Sequence, residues 1–350
     1  MTWETSVITI PDQANSALQD KLLLPAAEVL REGKLVAFPT ETVYGLGANA
    51  YLDDAVAEIY RVKGRPQDNP LIVHLVDLKD LDSVAKNIPD EAIALFNHFS
   101  PGPLTLILPR ADAIPERVSA GLDTVAVRFP EHELARRLLH LAGCPVVAPS
   151  ANLSGLPSPT RAEHVLRDLE GKIPYIIDGG PCRIGVESTV LDLSGNQAVI
   201  LRPGLISQES LSEFLGLKVL LSSELASADE LPKAPGMKYR HYAPKAKVKL
   251  LNNLDRVLAS IEINENNSLI AFFISASLLD RTSQIKKLAQ QKRILLKVYE
   301  GGAEGAAREL FAAFRDFDDA GAEIIWVQTE DEEGAGVAYM NRLRKAVGKE

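Results

Sequence analysis

At 350 residues, with 46% hydrophobic and 24% charged, the chain is long enough for more than one buried core and has the balance of a globular protein. A net charge of −9 excludes a general nucleic-acid coat, which is normally basic, although a local basic pocket is compatible with an acidic total. The two cysteines, Cys144 and Cys182, supply neither a disulfide framework nor a metal-binding pair, and fit a reducing, cytoplasmic setting.

The N-terminus MTWETSVITI lacks the basic and apolar regions of a signal peptide, and residues 5–10 read as a first strand. A helix ends near Arg31 and is closed by Gly33. KLVAF is an apolar strand, followed by a loop holding Thr40, Glu41, Thr42 and Tyr44. GLGANA imitates a dinucleotide fingerprint, but the expected helix cap, Asp53 or Asp54, comes several residues too late for the glycines to open the helix. No P-loop motif occurs.

DDAVAEIYRVK has helical spacing, with Val56, Ile59, Tyr60 and Val62 on one face and Gly64 as its stop. LIVHL reads as a buried strand. Lys63 and Arg65 therefore mark a helix end, Asn69 a loop stiffened by Pro66 and Pro70, and His74 the following strand. An ammonium beside a planar guanidinium suits a polyanion such as a nucleotide phosphate; a solvated basic turn is the alternative.

A helix is expected over 89–99, then a strand in PGPLTLILPR. GLDTVAVRFP alternates so that Thr124, Ala126 and Arg128 share a face opposite Val125 and Val127. That face lines a pocket or belongs to an edge strand facing water. Helix 131–141 leads to PVVAPSANLSGLPSPT, in which a strand ends in a loop crowded with Ser150, Asn152, Ser154 and Ser158. Such loops cradle phosphates or are plain turns. YIIDGG, GVESTVLDLSG and AVILRPG are strand-like, with Ser188 and Thr189 opening the second and Arg202 ending the third. Cys144 lies in an apolar run and reads as a buried thiol, whereas Cys182, in a Gly/Pro loop beside Arg183, is harder to dismiss.

Helix 207–215 closes a first domain, expected over 1–215. A linker over 216–246 follows, in which helix or strand is hard to sustain through SSELASADELPKAPGMKYRHYAPKAK. APGMKYRHYAP within it holds more aromatic and basic residues than a spacer needs, and reads as a tether folding back onto a site. Residues 247–350 alternate strand and helix, with SLIAFFIS, ILLKVY and EIIWVQ as strands and an amphipathic helix ended by Gly321, which implies a small parallel α/β domain. The apolar stretch LIAFFISASLL is too short to span a bilayer.

PTETVYGLG, KGRPQDNPLIVH, GLDTVAVRFP, APSANLSG and GVESTV together resemble the YrdC-like family of L-threonylcarbamoyladenylate synthases, in its longer two-domain form with APGMKYRHYAP and YMNRLRKA. The resemblance implies a twisted open mixed sheet with helices, followed by a Rossmann-like parallel α/β domain. It implies a nucleotidyltransferase that makes threonylcarbamoyl-AMP and pyrophosphate from L-threonine, bicarbonate and ATP, with Mg2+ carried on the triphosphate. Partner proteins would then transfer the threonylcarbamoyl group to adenosine 37 of tRNAs reading codons that begin with A, with direct tRNA contact left open. The K-x-R…S-x-N signature falls on Lys63, Arg65, Ser150 and Asn152 as catalytic residues. Thr42, His74, Arg128 and Ser188 would bind threonine. Arg65, Asn69, Thr124, Ala148 (through backbone), Ser150, Ser158, Arg202 and linker Tyr239 would hold ATP, leaving Lys63 and Asn152 to the phosphate and carbamate end.

Overall fold

The computed structural model describes residues 3–11, 13–224, 242–263, 268–291 and 294–348. Its contacts divide the chain into two compact units, one of Met1–Ser154 with Ser158–Tyr239 and one of Gly155–Pro157 with Arg240–Glu350.

The first unit opens with strand β1 (Ser6–Thr9) and helix α1 (Ser16–Arg31), whose cap Asn15 accepts the Leu18 N–H at 3.0 Å. β2 (Val36–Phe38) pairs antiparallel with β3 (Gly45–Asn49). The GLGAN run is therefore a buried strand, not part of a loop. Its glycines answer a packing need: a Cβ at Gly47 would meet the Phe38 ring at 2.8 Å and the Val36 carbonyl oxygen at 3.2 Å. Helix α2 (Asp53–Lys63) buries the expected face, Val56, Ile59, Tyr60 and Val62, and ends at Gly64 with φ +60°. Its capping position is Leu52, which makes no side-chain bond, so the expectation of an Asp53 or Asp54 cap is corrected. Both aspartates sit inside the first turn, where a carboxylate offsets the helix dipole.

The chain continues through β4 (Ile72–His74), α3 (Asp90–Phe99), β5 (Leu104–Pro109), β6 (Thr124–Arg128), α4 (Glu133–Ala142), β7 (Val146–Val147), α5 (Ala162–Leu169), β8 (Tyr175–Asp178), β9 (Thr189–Asp192), β10 (Val199–Arg202), α6 (Gln208–Leu215) and β11 (Leu220–Leu221). Among the described residues the strands form one 11-stranded mixed sheet in the order β1-β8-β2-β3-β7-β4-β6-β5-β9-β10-β11. Alternation divides the core between its faces. Val36, Phe38 and Val146 pack with Leu23, Ala27 and Leu30 of α1 and Leu134, Leu138 and Leu139 of α4. Ala37, Leu46, Val73, Leu106, Val127 and Val147 belong to a larger cluster with α2, α3, α5 and α6.

Of the span read as linker, Leu220–Leu221, just before the SSELASADELPKAPGMKYRHYAPKAK stretch, is a strand parallel to β10. At the other end Tyr242, with φ +69°, stacks on Phe311 at 5.1 Å, and the Lys245 and Ala246 N–H groups donate to the Asp318 carboxylate. Most of APGMKYRHYAP, including Tyr239, lies outside the described residues.

The second unit runs β12 (Lys247–Leu251), α7 (Leu254–Ile263), β13 (Ile270–Ser275), α8 (Ala276–Asp280), α9 (Ser283–Gln290), β14 (Ile294–Tyr299), α10 (Gly302–Asp319), β15 (Ile324–Gln328) and α11 (Ala335–Val347). Its strands form a parallel sheet in the order β12-β15-β13-β14. The α/β class expected from the alternation is observed. No helix among the described residues is long and apolar enough to cross a membrane.

Gly204, just after β10, has no room for a side chain: a Cβ would lie 2.3 Å from the Thr189 nitrogen and 2.7 Å from the Ser188 carbonyl carbon. Gly204→Ala is expected to lower stability by about 1–3 kcal/mol, the usual scale of overpacking, read as a shifted urea midpoint. An unchanged midpoint would contradict the close approach.

Candidate active site

Of the polar residues singled out from sequence, His74, Arg128 and Arg202 end β4, β6 and β10, and Ser188 directly precedes β9, at strand ends of the kind where open α/β sheets build ligand sites. Three neighbouring strands set the first row. His74 on β4 is in register with Arg128 on β6, and Arg128 with Thr105 on β5. Two residues back, Ile72, Ala126 and Ile107 occupy the same face and form a small apolar cluster with Val190. β6 is thus an interior strand, and the water-facing alternative for the Thr124, Ala126, Arg128 face is excluded. Thr105 shares a hydroxyl–hydroxyl bond of 2.7 Å with Ser188, and Arg202 donates to Ser188 through Nε to its carbonyl and Nη2 to its Oγ, both at 3.0 Å. A line of buried polar side chains runs from His74 to Arg202.

Arg128 is held by a residue that sequence reading placed in the loop but gave no role. Glu41 Oε1 accepts from Arg128 Nη2 at 2.6 Å, and Oε2 accepts the Glu131 backbone N–H at 3.0 Å. Both side chains are buried. Burial pushes the Glu41 carboxyl up, but the Arg128 guanidinium and the hydrogen bonds outweigh it and hold the group below the ordinary carboxylate range. Arg128 Nε is buried with no hydrogen-bond partner among the described residues.

Burial, and secondarily the Arg128 charge, pushes His74 down to about 3. Its Nδ1 lies 3.1 Å from the Ile72 carbonyl, the geometry of an imidazole that donates there. His74 is therefore neutral at working pH.

The loops that carry the remaining residues are laced together by backbone bonds. Ile184 and Gly185 donate to the Glu41 and Thr42 carbonyls at 2.8 and 3.0 Å. Tyr44 donates to Pro159, and Ala151 to Tyr44, each at 2.8 Å. Inside the first loop Thr40 Oγ1 bonds Thr42 Oγ1 at 2.8 Å and donates to the Val43 carbonyl at 2.6 Å. Ser158 Oγ donates to buried Glu187 at 2.5 Å.

The signature residues meet through the backbone. Buried Lys63 donates Nζ to the carbonyls of Ser150 and Asn152, and its own carbonyl accepts the Ser154 N–H at 2.9 Å. Buried Arg65 donates to the Asn69 carbonyl at 3.1 Å and the Pro70 carbonyl at 2.8 Å. It braces the loop that presents Asn69, whose amide nitrogen and oxygen are both buried without partners among the described residues. These are not solvated basic groups: burial without such acceptors would cost several kcal/mol per charge.

Two expectations meet the structure differently. Ala148 donates its N–H to the Ile72 carbonyl at 3.0 Å, so that donor is committed to the sheet. Thr124 is at the far end of β6 from Arg128, about 13 Å along the strand at about 3.3 Å per residue, and so belongs to a different part of any cavity. Cys182 is buried beside the loop, and burial pushes its thiol well up, which disfavours a nucleophilic thiolate. Among the described residues no group of three or more His, Cys, Asp or Glu could hold a metal ion.

Because unfolded histidine titrates near 6.5 and folded His74 near 3, the unfolded chain takes up a proton that the folded chain refuses between those values. Stability is full above about pH 6.5 and declines as pH falls toward 3, with Glu41 adding to the loss below 4.5. The melting temperature is expected to drop between pH 7 and 4.5, and less steeply in His74→Gln. Equal slopes in the two proteins would contradict a neutral buried His74.

A family model described as "Telomere recombination" matches residues 28–204, and one described as "Threonylcarbamoyl-AMP synthase, C-terminal domain" matches residues 206–348. The threonylcarbamoyl-AMP synthase of Pyrococcus abyssi is 45% identical over 97% of this chain and 98% of its own length. That of Bacillus subtilis is 43% identical over 94% of each. A crystal structure of P. abyssi Sua5 complexed with L-threonine superimposes with a TM-score of 0.86 at 43% identity, covering 98% of this chain and 97% of the other. With both of its parts matched in order, the chain belongs to the threonylcarbamoyl-AMP synthase family.

Proposed function

We propose that the chain is an L-threonylcarbamoyladenylate synthase, combining L-threonine, bicarbonate and ATP into threonylcarbamoyl-AMP with release of pyrophosphate. The observation that carries this reading is the buried row at the ends of β4, β6 and β5, in which Arg128 keeps an uncommitted Nε donor beside a neutral imidazole and paired hydroxyls. A guanidinium with a free donor suits the carboxylate of an amino acid. Neutral His74 adds a polar group without a second charge, and Thr42 and Ser188 offer hydroxyls to the same ligand.

Arg65, Asn69, Ser150, Ser158 and Arg202 take the nucleotide, with Thr124, the Ala148 backbone and Tyr239 completing that set. The orphaned Asn69 amide, with donor and acceptor both unpaired, matches the edge of a heteroaromatic base or a ribose hydroxyl. Lys63 and Asn152 serve the phosphate and carbamate end. The threonine amine and bicarbonate condense with loss of water to an N-carboxy anion, whose carboxylate oxygen attacks the α-phosphorus of ATP, forms the new C–O–P link and expels pyrophosphate. Two anions must approach, and fixed cations lower that repulsion without reorganising. Holding them in reach contributes up to about 7–11 kcal/mol in ideal cases. Magnesium accompanies the triphosphate as part of the substrate. The product passes in the cytoplasm to transferase proteins that modify adenosine 37 of tRNA.

Purified protein given the three substrates is expected to yield threonylcarbamoyl-AMP by mass spectrometry, with ATP consumption dependent on both threonine and bicarbonate. ATP turnover indifferent to either would overturn the reading. Arg65→Ala is expected to raise the KM for ATP at least tenfold and Arg65→Lys to restore it in part, because a point-like ammonium cannot reproduce the planar fork that meets the Asn69 and Pro70 carbonyls through two separate nitrogens. A lysine variant with wild-type KM would show that charge alone suffices.

A further inference from the structure

Arg128 is the buried cation of the candidate amino-acid subsite, and how it is held determines what it can still bind. A guanidinium carries five N–H donors, and a glutamate pairs with it most strongly through both oxygens, which consumes two of them in one plane. The Glu41–Arg128 pair does not take that form. Oε2 of Glu41 is occupied by the Glu131 main-chain N–H at 3.0 Å, so only Oε1 meets Arg128, through Nη2 at 2.6 Å. Nε of Arg128 is left buried and without a partner among the described residues.

The carboxylate is itself fixed from both ends of its residue. The Glu41 carbonyl accepts the Ile184 N–H at 2.8 Å, and the next carbonyl, of Thr42, accepts that of Gly185 at 3.0 Å. The backbone therefore sets where Glu41 starts, and Glu131 sets where it ends. With those points fixed, the position at which Glu41 meets Arg128 Nη2 is fixed too.

We propose that Glu41 is a positioning residue for the amino-acid substrate: held by the Glu131 N–H, it engages Arg128 through one oxygen and leaves the rest of the guanidinium to the substrate carboxylate. It acts through Arg128 and touches no substrate. The proposal rests on the synthase reading and deepens it, by tying threonine recognition to the turn after β6 and to the PTET loop.

The test compares Glu41→Asp and Glu41→Gln with wild type in steady-state product formation, varying threonine and ATP separately. Aspartate keeps the charge but is one methylene too short to reach both partners; glutamine keeps the length but loses the charge and mismatches one of the two donors. Both are expected to raise the KM for threonine about tenfold and leave that for ATP within twofold. In an Arg128→Lys background, where no fork remains to be oriented, Glu41→Asp is expected to change the threonine KM less than twofold. Should Glu41→Gln fail to fold, the aspartate variant alone decides.

Wild-type threonine KM in Glu41→Asp, or tighter threonine in Glu41→Gln, would overturn the proposal. So would equal loss toward threonine and ATP in step with a lowered melting temperature, which would mark a merely structural role. Wild type that makes no product from the three substrates would sink the synthase reading instead. The two failures are thereby told apart.

Discussion

Buried positive charge is the constraint on which the rest of the first unit depends. Lys63 at the end of α2, Arg65 in the loop after it, and Arg128 and Arg202 at the ends of β6 and β10 are all buried, and a cation taken out of water without a partner would neutralise itself or unfold its surroundings. The chain meets this with its own acceptors: the carbonyls of Ser150 and Asn152 for Lys63, those of Asn69 and Pro70 for Arg65, the Glu41 carboxylate for Arg128, and the Ser188 carbonyl and hydroxyl for Arg202. Each cation thereby organises a loop. The site is shaped by what its charges require before any ligand enters.

The extent to which this was legible in the sequence follows from distance along the chain. The alternation of Thr124, Ala126 and Arg128 and the helical face of residues 53–63 are local patterns, and both are found in the structure. The link between Glu41 and Arg128 spans 87 positions, and nothing local marks it. Thr105 stood in an apolar run as one hydroxyl among leucines, which was a signal, but its meaning depends on Ser188 lying on the neighbouring chain segment. β3 escaped because its glycines carry no side-chain pattern to read. What they reveal is an approach of Phe38 that only coordinates show.

Residue type was also a better guide to participation than to manner. Lys63 and Arg65 suggested charges turned toward a phosphate, yet each also spends donors on backbone carbonyls. Ala148 was expected to offer backbone, and its N–H is used by the sheet. A motif records which residues matter. It does not say which of their atoms remain available. In the second unit the parallel alternation was plain from apolar runs, whereas β12, KVKLL, alternates lysine with apolar residues and emerges only through its register with β15.

The cradle of Lys63 has a chemical consequence for a protein of this function. Threonylcarbamoyl-AMP is a mixed anhydride, an electrophile that acylates free amines. A lysine facing that product would be a hazard to its own enzyme, because one carbamoylation would erase its charge. Accepting Nζ hydrogens at the Ser150 and Asn152 carbonyls favours the charged form of the amine, and a protonated amine has no lone pair with which to attack. The same two bonds that order the loop also favour the form of the side chain least reactive toward such an electrophile.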